Sequence, residues 1–569
     1  MRNKLLICIF ALLAFLSGFV RADQQKYRWQ WMNPLPQGNV INHMWAASPD
    51  DIYAVGACGT VLNYDGEKWN TMHSGTTEAL MGIWGSSPEN IYAVGQNGII
   101  IHYDGEKWKK VLGSETEWLY TVWGTSPRNI YAGGTGGCML HYDGTKWSKL
   151  DVGIKSSIHN IWGFDRSNIF AACGYGNVLY YNGTAWRSMT TGTMYDLFEL
   201  WGPDPEDIIA VGGAGTILHY DGKFWDTMES GTVNDLFGVT GTSAKNIYAL
   251  GMIIALNYDG RNWIRMDTPY FVRLNDGLVF SRDNIYFAGM PILHYNGKKW
   301  RTDINGCLES LADVWALSKK EVFAVGGNGT ILHYKGKKWK SSNREIAYNL
   351  TGVWGTDSDN VYVVGEYGTI MHYDGKKWEP GKTDISVNFR DITGFGPDNI
   401  YVVGDYGTAI HYDGDKWRKF NLGDFANLNS IWGSGPKRIY VVGSMGSIYR
   451  YNGEYWKKLR SGSAKELYGV WGAPTGEVFA VGEDGTILCH NGKYWDKMIS
   501  CVSGDISSVW GTSKDNVYAV GIDGLIHYNG KKWEKINSGT GSKLYGIFGL
   551  SGHEIFIVGN YGNILYYGK

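Results

Sequence analysis

The chain has 569 residues, of which 79 are Gly, 26 are Trp and only 13 are Pro. Abundant Gly with little Pro and many aromatic residues excludes a disordered or collagen-like chain and predicts many tight turns around an aromatic core. Charge is balanced, with 53 Lys and Arg against 55 Asp and Glu, so there is no basic excess for a nucleic-acid backbone.

The first 22 residues predict a secretory signal peptide. Arg2 and Lys4 precede an apolar run over 5–20, and Val20 and Ala22 supply β-branched and small residues at a cleavage site. A membrane anchor is the alternative, but this run is shorter than the roughly 20 apolar residues that span a bilayer. We therefore expect cleavage after Ala22, a secreted or periplasmic protein and no membrane span after cleavage.

A repeat extends over the whole chain that follows. The segments TILHYDGKFW, TILHYKGKKW and TIMHYDGKKW are near-copies of one another. The Trp that closes each copy recurs about every 39 residues, at positions 69, 108, 147, 186, 225, 263, 300, 339, 378, 417, 456, 495 and 533. Such regularity predicts a repeat architecture rather than a set of unrelated domains.

One unit, starting at Leu350, predicts four short strands. The first lies around Trp354, the second over 361–365, the third over 369–373, and a fourth begins with Trp378. A tight Gly-bounded turn separates the second and third strands, and an Asp-Gly pair before the fourth favours a type I′ hairpin. Four short strands in about 40 residues, with no helical periodicity, are typical of a β-propeller blade.

The ends of the chain predict ring closure. The segment around Trp29 matches a fourth strand, whereas the last copy stops at Lys569 before its own fourth strand, so one blade is expected to be built from both ends. The total is 14 four-stranded blades, and single rings carry about 4–8. We expect two seven-bladed rings, at 23–297 and 298–569 after the signal peptide 1–22. One larger ring and a strand exchange between rings are the alternatives.

The cysteines do not form a disulfide framework or a metal motif. Six follow the leader, and no CxxC pair occurs among them. Cys138 begins a third strand and Cys173 lies at a turn of the adjacent blade on the same face. These two are the candidate disulfide, provided that their Cα atoms come within about 7 Å.

The repeat resembles a known family. The pattern VWGTSPRNIYAGG followed by MLHYDGTKW, over 122–147, is similar to bacterial secreted β-propeller repeats of the WGSSPxDVYAVGxxGTILHYDG type. These look related to sialidase-like Asp-box propellers and to photosystem assembly-factor propellers, although the turn at 373–378 is shorter than an Asp-box. The resemblance covers 27–569 and implies an all-β tandem β-propeller. It implies adhesion, assembly or ligand binding more often than a known reaction.

Recurring His and Asp residues invite a metal or catalytic interpretation. The His residues at 102, 141, 219, 294, 333, 372, 411 and 527 lie at equivalent positions on different blades, so they cannot converge on one ion. We expect them to make a repeated hydrogen bond or packing contact. The Asp of each Tyr-Asp-Gly is exchanged for Asn in other copies, which indicates a turn residue. No metal site is predicted.

No catalytic residue or cofactor is predicted. A sialidase needs an arginine cluster and a Tyr/Glu nucleophile, and a quinoprotein needs a longer docking motif and commonly a vicinal Cys pair. Neither set occurs at recurrent positions. We expect an exported, non-catalytic scaffold propeller that binds a protein partner at the cell envelope or outside the cell. The alternative is a polysaccharide-binding, lectin-like propeller. A glycosidase or quinoprotein is the third hypothesis.

The candidate binding face is the rim on which the copies differ. Up-and-down strands place the second-to-third turns and fourth-to-first loops on one rim and the Asp-Gly hairpins on the other. On the first rim, the C-terminal ring combines Tyr with carboxylates, which can stack on a partner and pair with cations. The predicted ligand-binding residues are Glu366, Tyr367, Asp405, Tyr406, Met445, Glu483, Asp484, Asp523 and Tyr561, with Trp118 outside the repeat positions.

Overall fold

The computed structural model describes residues 27–113, 117–269, 273–302, 307–341, 346–381, 383–422 and 425–569. The predicted signal peptide lies outside these residues. Within them the regular elements are β-strands and three-residue 3-10 turns. No helix in these ranges has the length and apolar character needed to cross a membrane.

The strands form 14 four-stranded antiparallel sheets, which confirms the tandem β-propeller fold. Each sheet is an up-and-down blade, and we name the blades N1–N7 and C1–C7 in chain order. In both sets the first strands of successive blades are neighbours, and the seventh lies beside the first. Each set of seven therefore closes on itself as a ring.

The N-terminal ring contains seven blades of consecutive strands. Its innermost strands are Ile41–Ser48, Leu80–Ser87, Leu119–Ser126, Ile158–Asp165, Leu197–Asp204, Leu236–Ser243 and Leu274–Ser281. The second strands are Asp51–Gly56, Asn90–Gly95, Asn129–Gly134, Asn168–Cys173, Asp207–Gly212, Asn246–Gly251 and Asn284–Gly289. The third are Val61–Tyr64, Ile100–Tyr103, Met139–Tyr142, Val178–Tyr181, Ile217–Tyr220, Ile254–Tyr258 and Leu293–Tyr295. The outermost are Trp69–Met72, Trp108–Leu112, Trp147–Leu150, Trp186–Met189, Trp225–Met228, Trp263–Arg265 and Trp300–Thr302.

The C-terminal ring has innermost strands Leu311–Ser318, Leu350–Asp357, Phe389–Gly394, Leu428–Gly435, Leu467–Gly472, Ile506–Ser513 and Leu544–Ser551. The second strands are Glu321–Gly326, Asn360–Gly365, Ile400–Gly404, Arg438–Gly443, Val478–Gly482, Asn516–Gly521 and Glu554–Gly559. The third are Ile331–Tyr334, Ile370–Tyr373, Thr408–Tyr412, Ile448–Tyr451, Ile487–His490, Gly524–Tyr528 and Ile564–Gly568. The outermost are Trp339–Ser341, Trp378–Pro380, Trp417–Asn421, Trp456–Leu459, Trp495–Lys497, Trp533–Ile536 and, from the N-terminus, Arg28–Asn33.

Among the described residues, nine 3-10 turns join second strands to third strands. They are Ala57–Gly59, Gln96–Gly98, Thr135–Gly137, Gly213–Gly215, Gly327–Gly329, Glu366–Gly368, Ser444–Gly446, Glu483–Gly485 and Asn560–Gly562. In Glu366–Gly368 the middle residue, Tyr367, has a φ of 54° and Gly368 a φ of 75°. The predicted tight turn is therefore left-handed at two successive residues.

Each ring is closed by a different strand from the one that the predicted division at 297/298 assigns to it. Arg28–Asn33 pairs with Ile564–Gly568 in blade C7, and Trp300–Thr302 pairs with Leu293–Tyr295 in N7. One compact unit accordingly comprises 33–308 and 539–542, and the other comprises the remaining described residues. The blade built from both chain ends exists, but it completes the C-terminal ring. The segments around Trp29 and Trp300 are equally good fourth strands, so only the pairing distinguishes their partners.

Interlocking side chains hold neighbouring blades together. The second strand of each blade is buried almost throughout, as Ile130 and Ala132 show. The innermost-strand Trp84 presses its ring on Gly124 of the next blade, where a Cβ would lie 3.0 Å from the indole. The repeated Trp-Gly pair therefore serves packing between blades, as expected for Trp in a propeller core.

The recurring histidines have the structural role that the sequence predicts. His411 stacks on Tyr401 with ring centroids 4.3 Å apart, and its Nε2 lies 2.8 Å from Asn399 Oδ1. The other seven make the same contact 2.5–2.9 Å from a side chain at the start of the second strand, namely His102–Asn90, His141–Asn129, His219–Asp207, His294–Asn284, His333–Glu321, His372–Asn360 and His527–Asn516. Each imidazole ring is therefore held within its own blade.

The Asp-Gly hairpins differ from the predicted type I′ turn. Tyr373 pairs with Trp378, which leaves a four-residue turn rather than a two-residue one. The Asp374 side chain closes it by accepting hydrogen bonds at 2.8 Å from the backbone N–H groups of Lys376 and Lys377. Because an Asn oxygen accepts equally well, as Asn182 does, the two residues are exchangeable here.

The candidate disulfide is not formed. Cys138 and Cys173 are both buried, and no disulfide joins them. Cys138 packs in the apolar cluster between N2 and N3, whereas Cys173 packs in the cluster between N3 and N4. The two thiols therefore belong to interfaces on opposite sides of one blade, and burial raises the pKa of the Cys173 thiol to about 12.

Candidate functional site

The predicted tyrosines of the C-terminal ring lie on the rim that carries the second-to-third turns, here called the loop rim. Tyr367, Tyr406 and Tyr561 each occupy the left-handed residue of their turn, with φ between 54° and 55°. All three side chains are exposed, as is Met445 at the same turn position. The Tyr367 ring lies against that of a neighbouring loop residue, Tyr348, with centroids 4.6 Å apart and ring planes tilted by 46°.

The predicted carboxylates on that rim already have local partners. Asp405 is 7% exposed and forms an ion pair of 2.8 Å with Arg390. Asp484 bonds to Lys465, and Asp523 accepts a backbone N–H at 2.7 Å. Glu366 accepts two hydrogen bonds from Asn349, and Glu483 one from the backbone of Glu466. These contacts shape the loops, but the Asp484 and Glu483 side chains remain 62% and 41% exposed. The predicted rim therefore presents both aromatic and acidic surface.

A second candidate site lies on the loop rim of the N-terminal ring. Every innermost strand contains a register shift after its first residue, a bulge that leaves the second residue unpaired with the neighbouring strand. A bulge re-aims the side chain that it carries. In this ring the second and third residues of these strands line an open funnel of about 270 Å³, which includes Met81, Tyr120, His159, Phe198 and Phe237.

Aromatic rings follow one another around the funnel wall. The Tyr120 and His159 centroids lie 5.4 Å apart, His159 and Phe198 are 5.4 Å apart and edge-on, and Phe198 and Phe237 are 5.5 Å apart. The Arg273 guanidinium lies 3.9 Å from the Phe237 centroid. Five consecutive blades, N3 to N7, therefore supply a continuous aromatic and cationic wall.

Polar groups of the funnel are engaged with the protein itself. Asn42 Nδ2 donates to the Leu80 carbonyl and Asn275 Nδ2 to the Ile41 carbonyl, both at 2.8 Å. Arg273 Nε donates to Asn275 Oδ1 at 2.7 Å. Apart from the Arg273 guanidinium, the wall that the funnel offers to a ligand is therefore mainly aromatic and apolar.

Three ionisable side chains that do not belong to the repeated motifs lie together at the floor of the funnel. His43, Glu199 and Asp276 are the third residues of innermost strands in N1, N5 and N7, and one ligand atom from each lies within 4.8 Å of the others. His43 Nδ1 is 3.5 Å from Asp276 Oδ2, and its Nε2 is 3.9 Å from Glu199 Oε1. Burial raises the pKa of both carboxyl groups, and the negative charge of Asp276 raises that of Glu199 further.

The C-terminal ring carries a related but different channel. Its third-position residues include Asp313 and Asp391, with small residues at Gly352, Gly469 and Gly546. Burial and the neighbouring Asp391 raise the pKa of Asp313 to about 7, and burial raises that of Asp391 to about 6. No histidine occupies the equivalent position in this ring.

An exposed apolar arc flanks the funnel on the loop rim of blades N4 to N6. Met194 and Val233 are 80% and 85% exposed, and Tyr175 and Tyr195 are 70% and 55% exposed. The arc continues in N6 with Ile253. The Tyr175 N–H bonds at 2.7 Å to Asp196, which follows Tyr195 in the next loop, so these side chains share one surface. Trp118, predicted from sequence, is also exposed on this rim at the start of N3.

Sequence reasoning missed the funnel because it compared the second-to-third turns. In the N-terminal ring those turns are mostly small, which directed attention to the C-terminal ring. The available signal was the third residue of the innermost strand, which reads His, Gly, Thr, Asn, Glu, Gly and Asp around the ring. Such variation at one position of a regular repeat indicates that the position does not share one common packing role.

Comparisons with known proteins support the fold alone. No protein-family model matches the sequence, and a search of curated proteins gives no match. Among solved structures, PorZ, a surface component of the type-IX secretion system of Porphyromonas gingivalis, aligns with a TM-score of 0.61 at 11% identity over 95% of this chain and 86% of that one. A GH74 enzyme of Niastella koreensis aligns with a TM-score of 0.57 at 13% identity over 95% and 99%.

A third structure, YCF48 bound to D1 peptide, aligns with a TM-score of 0.41 at 17% identity and covers 46% of this chain and 94% of that one. At their identities to this chain, PorZ and the GH74 enzyme share its architecture and do not establish a reaction or a partner. The fold is therefore that of a tandem β-propeller with two seven-bladed rings.

Proposed function

We propose that this protein is an exported, non-catalytic binding protein whose N-terminal ring takes a polypeptide partner across the funnel mouth. The observation that carries the proposal is the continuous run of aromatic rings from Tyr120 to Phe237, which lies on the same rim as the exposed apolar arc. Contiguous exposed apolar surface on a folded protein is typical of an interaction site.

The wall favours a peptide side chain over a sugar. A glycan needs polar partners for its hydroxyl groups, yet Asn42, Asn275 and Arg273 are hydrogen-bonded within the protein. Neighbouring rings also cover one another, as the edge-on pair His159 and Phe198 illustrates. An aromatic or aliphatic anchor of a partner can fill the remaining apolar space and displace water there.

The size of the funnel fits one anchoring side chain with its flanking backbone, and the arc extends the contact outward. Met194, Tyr195 and Val233 supply rim area around that anchor. Interfaces of this kind concentrate binding energy in a few central aromatic groups. We therefore place the energetic centre at Phe198 and the supporting contact at Tyr195.

The test uses the mature chain and a peptide-display library, followed by capture from the native cell envelope. The variant Tyr195→Ser with Phe198→Ala removes the anchor and its rim contact. Phe224→Ser is the matched control, because Phe224 is 70% exposed in the same blade but lies in the hairpin on the opposite rim. We expect selected peptides to bind wild type and the control alike and to lose at least tenfold affinity for the double variant.

A second variant, Tyr367→Ala with Tyr406→Ala and Tyr561→Ala, tests the rim that the sequence predicts in the C-terminal ring. Loss of binding in this variant alone would move the site to that ring. Binding on a glycan array, with no peptide enriched, would instead establish the lectin alternative and overturn the proposal.

A further inference from the structure

The floor of the N-terminal funnel brings three metal-ligating side chains together from separate blades. His43, Glu199 and Asp276 place their donor atoms within 4.8 Å of one another. Bonds of about 2.0–2.2 Å to a tetrahedral ion would hold such donors roughly 3.3 Å apart. One ion binds only one imidazole nitrogen. The separation of His43 Nδ1 from Asp276 Oδ2, 3.5 Å, is close to that spacing, and the full set of three donor atoms lies within 4.8 Å.

Backbone hydrogen bonds fix both carboxylates in place. Glu199 Oε2 accepts the N–H of Val239 at 2.7 Å, which leaves Oε1 directed toward His43. Asp276 accepts the N–H groups of Met44 and Gly277 at 2.7 and 2.6 Å. Outer hydrogen bonds of this kind orient metal ligands and preserve their geometry before the ion arrives.

The imidazole retains an unused donor position. His43 Nδ1 is buried and has no hydrogen-bond partner, although Asp276 lies 3.5 Å away. The His43 side chain is 28% exposed and lines the funnel, so an ion can reach the group from solvent. Two buried carboxylates that face one another also favour a bound cation, because each repels the other's charge.

We infer that His43, Glu199 and Asp276 form a binding site for a divalent transition-metal ion of the Zn²⁺ type. One imidazole nitrogen and two carboxylate oxygens are ligands that suit Zn²⁺, and three protein ligands leave a further position open to water or to a partner group. The ion would neutralise the two carboxylates on the floor of the funnel and tie N1, N5 and N7 together across the ring.

The C-terminal ring provides an internal comparison. Asp313 and Asp391 occupy the same strand position there, and both also accept backbone N–H groups of neighbouring blades. Their ring has no histidine at that position. Because carboxylates alone suit Mg²⁺ or Ca²⁺ better than Zn²⁺, this pair is not expected to hold the transition metal.

The experiment measures Zn²⁺ binding to the mature chain after chelator treatment, by calorimetry and by Co²⁺ absorption. His43→Thr is the main variant, because Thr121 already occupies the equivalent position in N3. Glu199→Gln tests the second ligand, and Asp313→Ser is the matched control in the other ring. Circular dichroism and thermal unfolding without metal establish that each variant is folded.

We expect one Zn²⁺ site in wild type and in Asp313→Ser. Loss of an outer hydrogen-bond partner costs a metal site roughly 10–100-fold in affinity. We expect both ligand variants to lose Zn²⁺ affinity by at least that factor. Zn²⁺ should also raise the unfolding midpoint of wild type and leave that of His43→Thr unchanged. Unchanged Zn²⁺ affinity in His43→Thr, or no binding by wild type, would show that the three residues form only an ion-pair network and would overturn the inference.

Discussion

The carboxylate of Asp313 accepts a 2.9 Å hydrogen bond from the backbone N–H of Val353, one blade further around the C-terminal ring. Asp391 makes the same contact with Ile431 at 2.8 Å. In the N-terminal ring Glu199 and Asp276 act in this way toward Val239 and Met44. Innermost strands have one unpaired edge facing the channel, and these side chains satisfy N–H groups along it.

The first prediction concerns pH and Asp313. Burial and Asp391 raise the pKa of Asp313 from 3.8 to about 7, so the folded chain binds a proton that the unfolded chain releases. Stability contributed by this group is therefore present at low pH and falls as pH rises from about 4 to about 7. We expect Asp313→Ser to flatten that decline and to stabilise the C-terminal ring at pH 8 by on the order of 1–3 kcal/mol.

The measurement is the urea midpoint of the full chain at pH 5, 6, 7 and 8. Ser430 already occupies the equivalent position in C4, so the substitution suits the strand. Asp374→Asn in an exposed hairpin is the control and should leave the profile unchanged. Parallel pH profiles for wild type and Asp313→Ser would contradict the prediction.

The second prediction concerns ring closure. Residues 33–308 contain every strand of the N-terminal ring, whereas 309–569 lack Arg28–Asn33, the outermost strand of C7. Trp29 lies 5.2 Å from Tyr567 and Trp31 packs on the C7 cluster, so its loss exposes an apolar sheet edge. We expect 33–308 to unfold cooperatively alone and 309–569 to aggregate or to unfold at lower temperature.

Fusion of residues 23–33 to the C-terminus of 309–569 through a flexible linker supplies the missing strand. This fusion should restore cooperative thermal unfolding. The same linker with Trp29→Ser and Trp31→Ser is the control. Equal thermal midpoints for 309–569 with and without the intact strand would show that this strand does not close the ring.

The third prediction concerns backbone strain on the loop rim. Tyr406 has a φ of 55° and its side chain is 67% exposed. A left-handed residue with a Cβ costs about 1–2 kcal/mol, and Gly avoids that cost. We expect Tyr406→Gly to be more stable than Tyr406→Ala by about 1 kcal/mol after its greater unfolded-state entropy is included. Chemical denaturation measures the difference, and an Ala variant as stable as the Gly variant would refute it.

The fourth prediction concerns the thiols. Cys138 and Cys173 are buried and not joined by a disulfide, whereas Cys501 is exposed. Alkylation needs an accessible thiolate, so the native, unreduced protein should be labelled at Cys501 first, and the two buried thiols should be labelled only after unfolding. Peptide mass spectrometry gives the sites directly. A Cys138–Cys173 linked peptide from the unreduced protein would contradict the structure.

Part of the site could be predicted from sequence, and part could not. The recurring His and Asp residues were assigned to hydrogen bonds and turns, because equivalent positions on separate blades point in different directions around a ring. The same reasoning misses His43, Glu199 and Asp276, since the second and third residues of the innermost strands are positions at which separate blades do converge. A central channel exists only after the ring closes, and no local pattern represents it.

The sequence by itself determined the number of blades, the four-strand order within each blade and the presence of one blade shared by the chain ends. These follow from short-range spacing, because turn residues and closing Trp residues recur within about 39 positions. Only the tertiary structure decided that Arg28–Asn33 completes C7 and that 33–308 forms the other ring. The strands Arg28–Asn33 and Trp300–Thr302 have the same local pattern. Which of them completes which ring therefore depends on long-range backbone pairing and on the aromatic contact between Trp29 and Tyr567.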